Sequence, residues 1–215
     1  MSEVKVMSSI TLKEFNSLAS TDYRLRLQHE RMTVENYDDF VSALYNDLDW
    51  CINEVQKKAE YLQPDVNGED RVSSYLQVAL NAMFYSAEAK FVKGGNTDLT
   101  ISSLNNQYKW IGEAKLVQGV NNRHVWGGFL QLVERYTSGE DPNGGILLYI
   151  YCPDAKSIME SYREYTMTKN EYHFLYENCK KKKIGTFYTI HKHTSSGENF
   201  KTRYIPVILH NSPKK

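Results

Sequence analysis

Apolar side chains recur every three or four residues along several long segments of the chain, the spacing of one buried face of an α-helix. The clearest stripe consists of Tyr37, Phe40, Val41, Leu44, Tyr45, Leu48, Ile52 and Val55. Similar stripes predict helices over residues 69–89 and 123–137, and a helical stretch over residues 156–183. Each of these segments is long enough for a helix that buries one face and leaves the other in water.

Strand patterns fill most of the intervening chain. They are alternating or continuous apolar runs bounded by turn residues, and they cover residues 90–93, 98–104, 108–117, 146–152, 185–193 and 200–209. The run at 146–152 is almost entirely apolar, which is typical of a strand buried on both faces. Near the N-terminus, Tyr23, Leu25 and Leu27 alternate with polar residues, and this pattern indicates a further short strand.

The order of these elements predicts the fold class. From residue 68 onward it reads helix, three strands, helix, strand, which favours an α/β fold with a mixed central sheet and helices on its faces. Pro64 and the pair Asn67-Gly68 break the chain before this unit. We therefore predict an N-terminal extension over residues 1–66 that packs on a core domain over residues 67–215.

Composition limits the class of protein only broadly. Hydrophobic residues make up 41% and charged residues 24% of the 215 residues, and the formal net charge is zero. No apolar run approaches the ~20 residues that span a bilayer, and the three cysteines lack a metal-binding or disulfide spacing. We expect a cytoplasmic protein with no membrane partner. Residues 151–215 hold twelve basic and six acidic side chains, which suits contact with phosphates or, equally, a solvated lysine run.

Two acids and a lysine flank one predicted hairpin. Asp98 begins the first strand, the pair Asn105-Asn106 suits a tight turn, and the second strand carries Glu113 and Lys115. Alternate side chains on a strand share a face, so Glu113 and Lys115 point the same way, roughly 7 Å apart. If Asp98 lies beside Glu113 across the hairpin, two carboxylates and one ammonium group converge at one end of the sheet.

Such a convergence suits phosphodiester hydrolysis. Two carboxylates can hold Mg²⁺, which retains several waters and binds phosphate oxygens. A bound metal ion lowers the pKa of a coordinated water and stabilises negative charge on the attacked phosphate. A neighbouring lysine can orient or deprotonate that water. The alternative interpretation of the same residues is a cross-strand ion pair without catalytic function.

Residues 68–152 resemble the PD-(D/E)XK nuclease superfamily. The resemblance rests on the residues Thr97-Asp98 and Glu113-Ala114-Lys115 and on the order of the predicted elements around them. Asp98 matches the first acid of the motif, Glu113 the second acid and Lys115 the lysine, whereas Thr97 replaces the proline. The resemblance implies a restriction-endonuclease-like core and an endonuclease that hydrolyses DNA with Mg²⁺, for which Mn²⁺ would substitute. It also suggests a role in restriction or phage defence.

The same resemblance extends the candidate site. Glu69 opens the helix before the sheet, where family members carry a metal-binding acid, with Asp70 as a weaker substitute. An acid in the first turn of a helix is also favourable without any function. Gln131 and Tyr136 resemble a Gln-x-x-x-Tyr extension with one extra residue. Gln131 would face the scissile phosphate or the end of the DNA, and the alternative is a solvated polar helix face. Tyr136 lies on the apolar stripe and is predicted to belong to the core.

Four basic residues are candidate contacts to a nucleic-acid backbone. Arg135 shares a polar helix face with Gln131, and Lys192, Lys201 and Arg203 lie on the C-terminal hairpin. The alternative interpretation is a set of solvated charges, which on edge strands protect against pairing with other chains. His191 and His193 alternate on the same hairpin and form a further, weaker hypothesis of a metal site.

Two other classes of function remain open. A catalytically silent module with a nuclease-like fold would bind nucleic acid or protein, and a structural subunit would use the stripe over residues 37–55 as a partner surface. A homodimer is compatible with all three interpretations. The chain has neither a phosphate-binding loop with a Gly-Lys-[Ser/Thr] ending nor a dinucleotide-binding glycine motif, so we expect no nucleotide cofactor.

Overall fold

The structure, a computed structural model, describes residues 11–64, 68–89, 97–180 and 184–211. Its α-helices are α1 (Leu12–Thr21), α2 (Tyr23–Met32), α3 (Tyr37–Gln56), α4 (Gly68–Asn81), α5 (Asn122–Gln131) and α6 (Ala155–Met167). Its strands are β1 (Ser86–Glu88), β2 (Leu99–Ser102), β3 (Lys109–Val117), β4 (Asn143–Ile150), β5 (Leu175–Asn178), β6 (Phe187–Lys192) and β7 (Asn199–Ile208). Within these ranges no helix is both long and apolar enough to cross a bilayer.

The seven strands form one mixed sheet in the order β1-β2-β3-β4-β7-β6-β5. The central pairs β3–β4 and β4–β7 are parallel, and the outer pairs are antiparallel. The predicted α/β class is therefore confirmed. From α4 to β4 the chain follows the predicted order of helix, three strands, helix and strand.

Two apolar layers cover the faces of this sheet. On one face α3 and α4 pack against the strands, with Phe40, Leu48 and Leu76 fully or almost fully buried. On the other face α5 and α6 do the same through side chains such as Phe129 and Tyr162. Helix α3, from the predicted N-terminal extension, therefore shares its core with the sheet. Side chains that alternate along the central strands point toward opposite layers.

The strand predicted from the alternation at residues 23–27 is wrong, because this segment belongs to helix α2. The Asp22 carboxylate accepts hydrogen bonds from two backbone N–H groups in the first turn, which is N-capping. In the last turn, the Arg31 guanidinium donates to the Asp47 carboxylate of α3, with 2.8 Å between Nη2 and Oδ1. Capping and this buried ion pair favour the helix over the short alternating pattern.

The helix predicted over residues 69–89 ends early, at Asn81. The Asn81 amide then bonds to the backbone of Ala87 in β1, with its Oδ1 accepting at 2.8 Å and its Nδ2 donating at 2.9 Å. Phe84 adopts a φ of +64° between them and turns the chain. The strand predicted over residues 90–93 lies outside the described residues.

The helical stretch predicted over residues 156–183 is also too long. Helix α6 ends at Met167, a 3₁₀ turn follows, and Leu175–Asn178 forms the edge strand β5. Between them, His173 has a φ of +47°, and the rings of Tyr172 and Phe174 stack with 5.2 Å between centroids. These rings also contact Phe129 of α5. Aromatic packing on a distant helix therefore ends the helical run.

Candidate active site

The register of the first hairpin places Asp98 opposite Glu113. In β2 and β3, Leu99 pairs with Gly112 and Thr100 with Ile111. One position further in this register, Asp98 lies opposite Glu113. Residues opposite each other in an antiparallel pair share a face of the sheet. The predicted convergence of the two carboxylates is therefore present, on the face that α5 covers.

Two carboxylates occupy the edge of β3 beyond the point where β2 ends. The Ala114 N–H donates to Asp98 Oδ2 at 2.7 Å, and the Leu116 N–H donates to Glu69 Oε1 at 2.6 Å. An unpaired strand edge leaves such N–H groups without partners. Hydrogen bonds from this edge therefore hold both acids in place, and Glu69 reaches the site from the first turn of α4.

Glu113 and Lys115 are buried side by side on β3. The Lys115 ammonium group donates to Glu113 Oε1 at 2.6 Å, and the Glu113 side chain is only 3% exposed. The second carboxylate oxygen, Oε2, has no hydrogen-bond partner among the described residues. A buried carboxylate oxygen without a partner is costly, and such an atom is a candidate ligand for a cation.

The surroundings of Glu113 and Asp98 raise the pKa of both carboxyl groups. Burial, and then the neighbouring Asp98 carboxylate, raise the pKa of Glu113 to about 7, although Lys115 acts in the opposite direction. Burial likewise raises the pKa of Asp98. Two carboxyl groups that must be ionised together in a buried place repel each other. A divalent cation between them would remove that repulsion.

Helix α5 approaches this part of β3 closely because it carries a glycine there. A Cβ atom on Gly128 would lie 2.8 Å from Lys115 Cε, 3.0 Å from Lys115 Cγ and 3.3 Å from Glu113 Cγ. Only a residue without a side chain leaves room for the lysine and the glutamate. The glycine thus allows the helix to cover the site at close range.

A cleft of about 560 Å³ opens beside Lys115 along the polar face of α5. It is lined by Lys115, Arg123, His124, Gly127, Leu130, Gln131, Glu134 and Arg135. The predicted site residues Gln131 and Arg135 are therefore brought together with Lys115. Arg123 and His124 were not among the site residues predicted from the sequence. His124 Nε2 lies 3.9 Å from Glu69 Oε1.

Tyr136 packs against the apolar layer on the α5 face of the sheet, as its place on the apolar stripe predicted. After α5 the chain forms a π-helical turn over Leu132–Tyr136, in which the Thr137 N–H donates to the Leu132 carbonyl at 3.1 Å. This turn takes up one residue more than an α-turn. Tyr136 is half-buried, and burial followed by the charges of Glu113 and Asp98 raises its pKa.

The acidic side chains of the site supply a small set of oxygen donors for a metal ion. Across the described ranges, no group of three or more His, Cys, Asp or Glu side chains converges as metal ligands do. One oxygen of Glu69 already accepts from Leu116. Asp98 and Glu113 nevertheless form an oxygen pair of the kind that Mg²⁺ takes together with several waters. The residues present therefore fit Mg²⁺ through two carboxylates rather than through a complete protein cage.

Three of the predicted nucleic-acid contacts lie away from the acids. Lys201 and Arg203 point toward α3, on the opposite face of the sheet, and Lys192 is exposed on the neighbouring strand. Arg203 is only 1% exposed, and its guanidinium donates to Asp49. A buried, paired arginine cannot contact a nucleic-acid backbone from this position, so that prediction is wrong for Arg203.

The two histidines of the hairpin do not form a metal site with a third ligand among the described residues. His191 is buried among aromatic rings, including those of Phe129, Tyr172 and Phe174. His193 Nε2 instead lies 2.9 Å from the Thr137 hydroxyl. Their alternation on the strand thus reflects packing and local hydrogen bonding.

Comparison with known proteins gives no further assignment, because no protein-family model, no curated protein and no solved structure matches this chain.

Proposed function

We propose that this protein is a metal-dependent nuclease that hydrolyses phosphodiester bonds of DNA, with a restriction-endonuclease-like core over residues 68–152. The observation that supports it most is the arrangement of Asp98, Glu113 and Lys115. The buried Glu113 and the half-buried Asp98 face each other across a hairpin. The lysine binds one oxygen of Glu113, and the other oxygen has no partner in the described part of the chain.

Asp98 and Glu113 would hold Mg²⁺, or Mn²⁺ in its place, and Glu69 would support them from the same strand edge. When bound, such an ion supplies an acidified water and stabilises negative charge on the phosphate. Glu113 ionises only near pH 7 in the folded protein, so the protein must release a proton from this residue to bind the ion. Metal affinity should consequently rise with pH up to about neutrality.

Lys115 would act on the water or the phosphate. Its ammonium group is 11% exposed and borders the cleft, and its present partner is the same carboxylate that would bind the cation. Once a cation neutralises Glu113, the lysine can donate its hydrogen bonds to a water or a phosphate oxygen instead. Burial under α5 keeps bulk water away and strengthens these electrostatic interactions.

The cleft along α5 would receive the substrate. Arg123 and Arg135 carry positive charge along its wall, which suits contact with backbone phosphates. Gln131 offers an amide to the phosphate or to the water beside it. DNA as the substrate, and restriction or phage defence as the biological setting, rest on the sequence resemblance.

A cleavage assay tests the proposal. The full-length protein is incubated with supercoiled plasmid, linear duplex, single-stranded DNA and RNA, in Mg²⁺, Mn²⁺ or EDTA. We expect metal-dependent cleavage of DNA, reduced at least ~100-fold in Lys115→Ala, because the lost ammonium group contributes to proton transfer or charge stabilisation. Lys109→Ala is the matched control, since Lys109 is exposed on the same strand and outside the cleft.

Two results would contradict the proposal. If no nucleic acid is cut and calorimetry detects no Mg²⁺ binding to the wild-type protein, the catalytically silent module is the better interpretation. If cleavage persists unchanged in Lys115→Ala, the activity comes from another site or from a contaminant. Cleavage of RNA alone would retain the nuclease and change its substrate.

A further inference from the structure

A second cavity lies on the face of the sheet opposite to Asp98 and Glu113. Its volume is about 570 Å³, and it lies between α3 and the C-terminal strands. Tyr45 and Asp49 of α3, together with Arg203 of β7, contribute to its wall. A volume of this size is within the range of small-molecule pockets, about 300–1,000 Å³. The cavity shares no residue with the cleft along α5.

Arg203 is the buried cation of this cavity. One nitrogen of its guanidinium, Nη2, donates to both oxygens of Asp49 at 2.9 and 3.0 Å. The other two nitrogens, Nε and Nη1, have no acceptor within the described ranges, although the side chain is only 1% exposed. Buried N–H groups are almost always hydrogen-bonded, so two free donors on one charged group require an explanation.

The aromatic neighbours do not satisfy these donors. The Tyr45 ring centroid lies 4.5 Å from Arg203 Cζ, and that of Tyr188 lies 5.9 Å away. Ring faces attract a cation but offer no oxygen lone pair to an N–H group. The Tyr45 hydroxyl is itself the acceptor for Trp110 Nε1, at 3.3 Å. The arginine is thus held in place while part of its hydrogen-bonding capacity remains unused.

Positive charge extends from Arg203 to the rim of the cavity. Lys201, two residues earlier on β7, is one-third exposed, and its ammonium group lies 4.6 Å from the Tyr188 ring centroid. Lys180 also lines the cavity. The lining holds three basic side chains, Lys180, Lys201 and Arg203, and two acidic ones, Asp38 and Asp49, which is an excess of one positive charge. Lys201 also pairs with Glu177, so the guanidinium of Arg203 is the main source of positive charge inside the cavity. An anionic group is the complement of such a surface.

We propose that this cavity binds a small molecule that carries a phosphate or a carboxylate group. Oxygen atoms of that group accept hydrogen bonds from the guanidinium of Arg203 and are attracted by Lys201. Phosphate and carboxylate share this chemistry, since both present planar or tetrahedral sets of anionic oxygens to arginine. The site is independent of the proposed nuclease, because it lies on the other face of the sheet.

Calorimetry on the full-length protein tests this site, in EDTA so that no metal ion links phosphate to the acids. The probes are inorganic phosphate, adenosine monophosphate and succinate, with uncharged adenosine as the blank. We expect saturable binding of an anionic probe with a Kd of about 1 mM or tighter, and none of adenosine. A response to the phosphates alone assigns a phosphate ligand, and a response to succinate alone assigns a carboxylate.

Variants locate the binding. Arg203→Lys keeps a cation for Asp49 but loses the guanidinium donors, and it should weaken binding at least ~10-fold. Lys192→Gln removes an exposed cation outside both this cavity and the cleft along α5, and it should bind as the wild type does. Lys201→Gln, at the half-buried rim, is the substitute if Arg203→Lys does not fold.

The proposal is overturned if no anionic probe binds saturably to the wild-type protein. It is also overturned if the folded cavity variants bind as tightly as the wild type, or if Lys192→Gln weakens binding to the same extent. Nuclease activity does not enter this test, so failure of the nuclease proposal leaves its result unaffected.

Discussion

The folded protein opposes the ionisation of Glu113. Its pKa is about 7 instead of the usual 4.5, first because of burial and then because of Asp98. The unfolded chain ionises this carboxyl group freely at neutral pH, whereas the folded chain does so at a cost. Ionised Glu113 therefore lowers the free energy of unfolding, and the loss develops as pH rises from about 4.5 through about 7.

Replacing Glu113 with glutamine should consequently stabilise the metal-free protein. At pH 8 we expect Glu113→Gln to raise the free energy of unfolding by up to about 3 kcal/mol, since 1.36 kcal/mol corresponds to each pKa unit. The amide oxygen can still accept from Lys115. Urea unfolding in EDTA at pH 5 and pH 8 measures the effect, which should be smaller at pH 5 because Glu113 is then mostly protonated in the wild type.

Magnesium provides the contrasting measurement for the same variant. Mg²⁺ should raise the melting temperature of the wild type, because it binds the folded acids and not the unfolded chain. Glu113→Gln should lose most of that increase, and Lys109→Ala should retain it. Glu113→Gln could instead be less stable than the wild type at pH 8. The surroundings of Glu113 would then stabilise its carboxylate, and the interpretation that the ionised group needs a cation would be wrong.

At the scale of residues, the sequence predicts that the two acids lie together, but it does not predict the hydrogen bonds and packing around them. The pairing of Asp98 with Glu113 follows from strand alternation and a two-asparagine turn, both of which are local patterns. The hydrogen bond from the Leu116 N–H to Glu69 forms because β2 does not extend along this part of β3. Tertiary packing determines the extent of β2. Arg203 occupies an alternating strand position like that of a solvated arginine, so its burial against α3 could not be predicted from spacing.

At the scale of elements, the approach of α5 to β3 determines the shape of the candidate site. Gly127 and Gly128 are consecutive in this helix but differ in their surroundings. A Cβ atom at Gly128 would lie 2.8 Å from Lys115, whereas one at Gly127 would have no atom within 4 Å. The pair separates the effect of helix propensity from the effect of contact with the site.

We expect Gly128→Ala to reduce cleavage at least ~10-fold, because the added methyl group displaces Lys115 and a misplacement of about 1 Å can be that costly. Gly127→Ala adds a methyl group that contacts no protein atom but borders the cleft, so it should reduce cleavage less than Gly128→Ala does, and it should stabilise the helix by about 0.5–1 kcal/mol. Cleavage rates and urea unfolding of both variants check this. Equal activity of the two variants would show that β3 and α5 are not held at the distance described.

Element types were predictable where long periodic segments determine them. The stripe over residues 37–55 and the apolar run in β4 became the expected helix and strand. The segments that failed are those in which a local bond overrides the pattern. Asp22 caps a helix at an alternating segment, and Asn81 bonds to the backbone of β1 and ends a helical run. Neither hydrogen bond can be predicted from the periodicity of apolar residues.

At the scale of the whole molecule, two buried groups give opposite dependences of stability on pH. His191 is 3% exposed, neither ring nitrogen has a hydrogen-bond partner in the described ranges, and aromatic rings surround it. Burial, and then the neighbouring His193, lower its pKa from 6.5 to about 4. The unfolded chain takes up this proton first, so His191 reduces stability as pH falls below about 6.5. Glu113 has the opposite effect as pH rises.

His191→Phe should therefore remove a part of the acid sensitivity of the whole fold. The free energy of unfolding of the variant, minus that of the wild type, should increase by about 2 kcal/mol between pH 8 and pH 5. Taking this difference cancels the contribution of Glu113, which both proteins share. His210→Gln is the control, because His210 is exposed on the surface. A difference that does not vary with pH would mean that water or a partner group already accommodates the charged ring, and the acid sensitivity of the fold would then have to come from elsewhere.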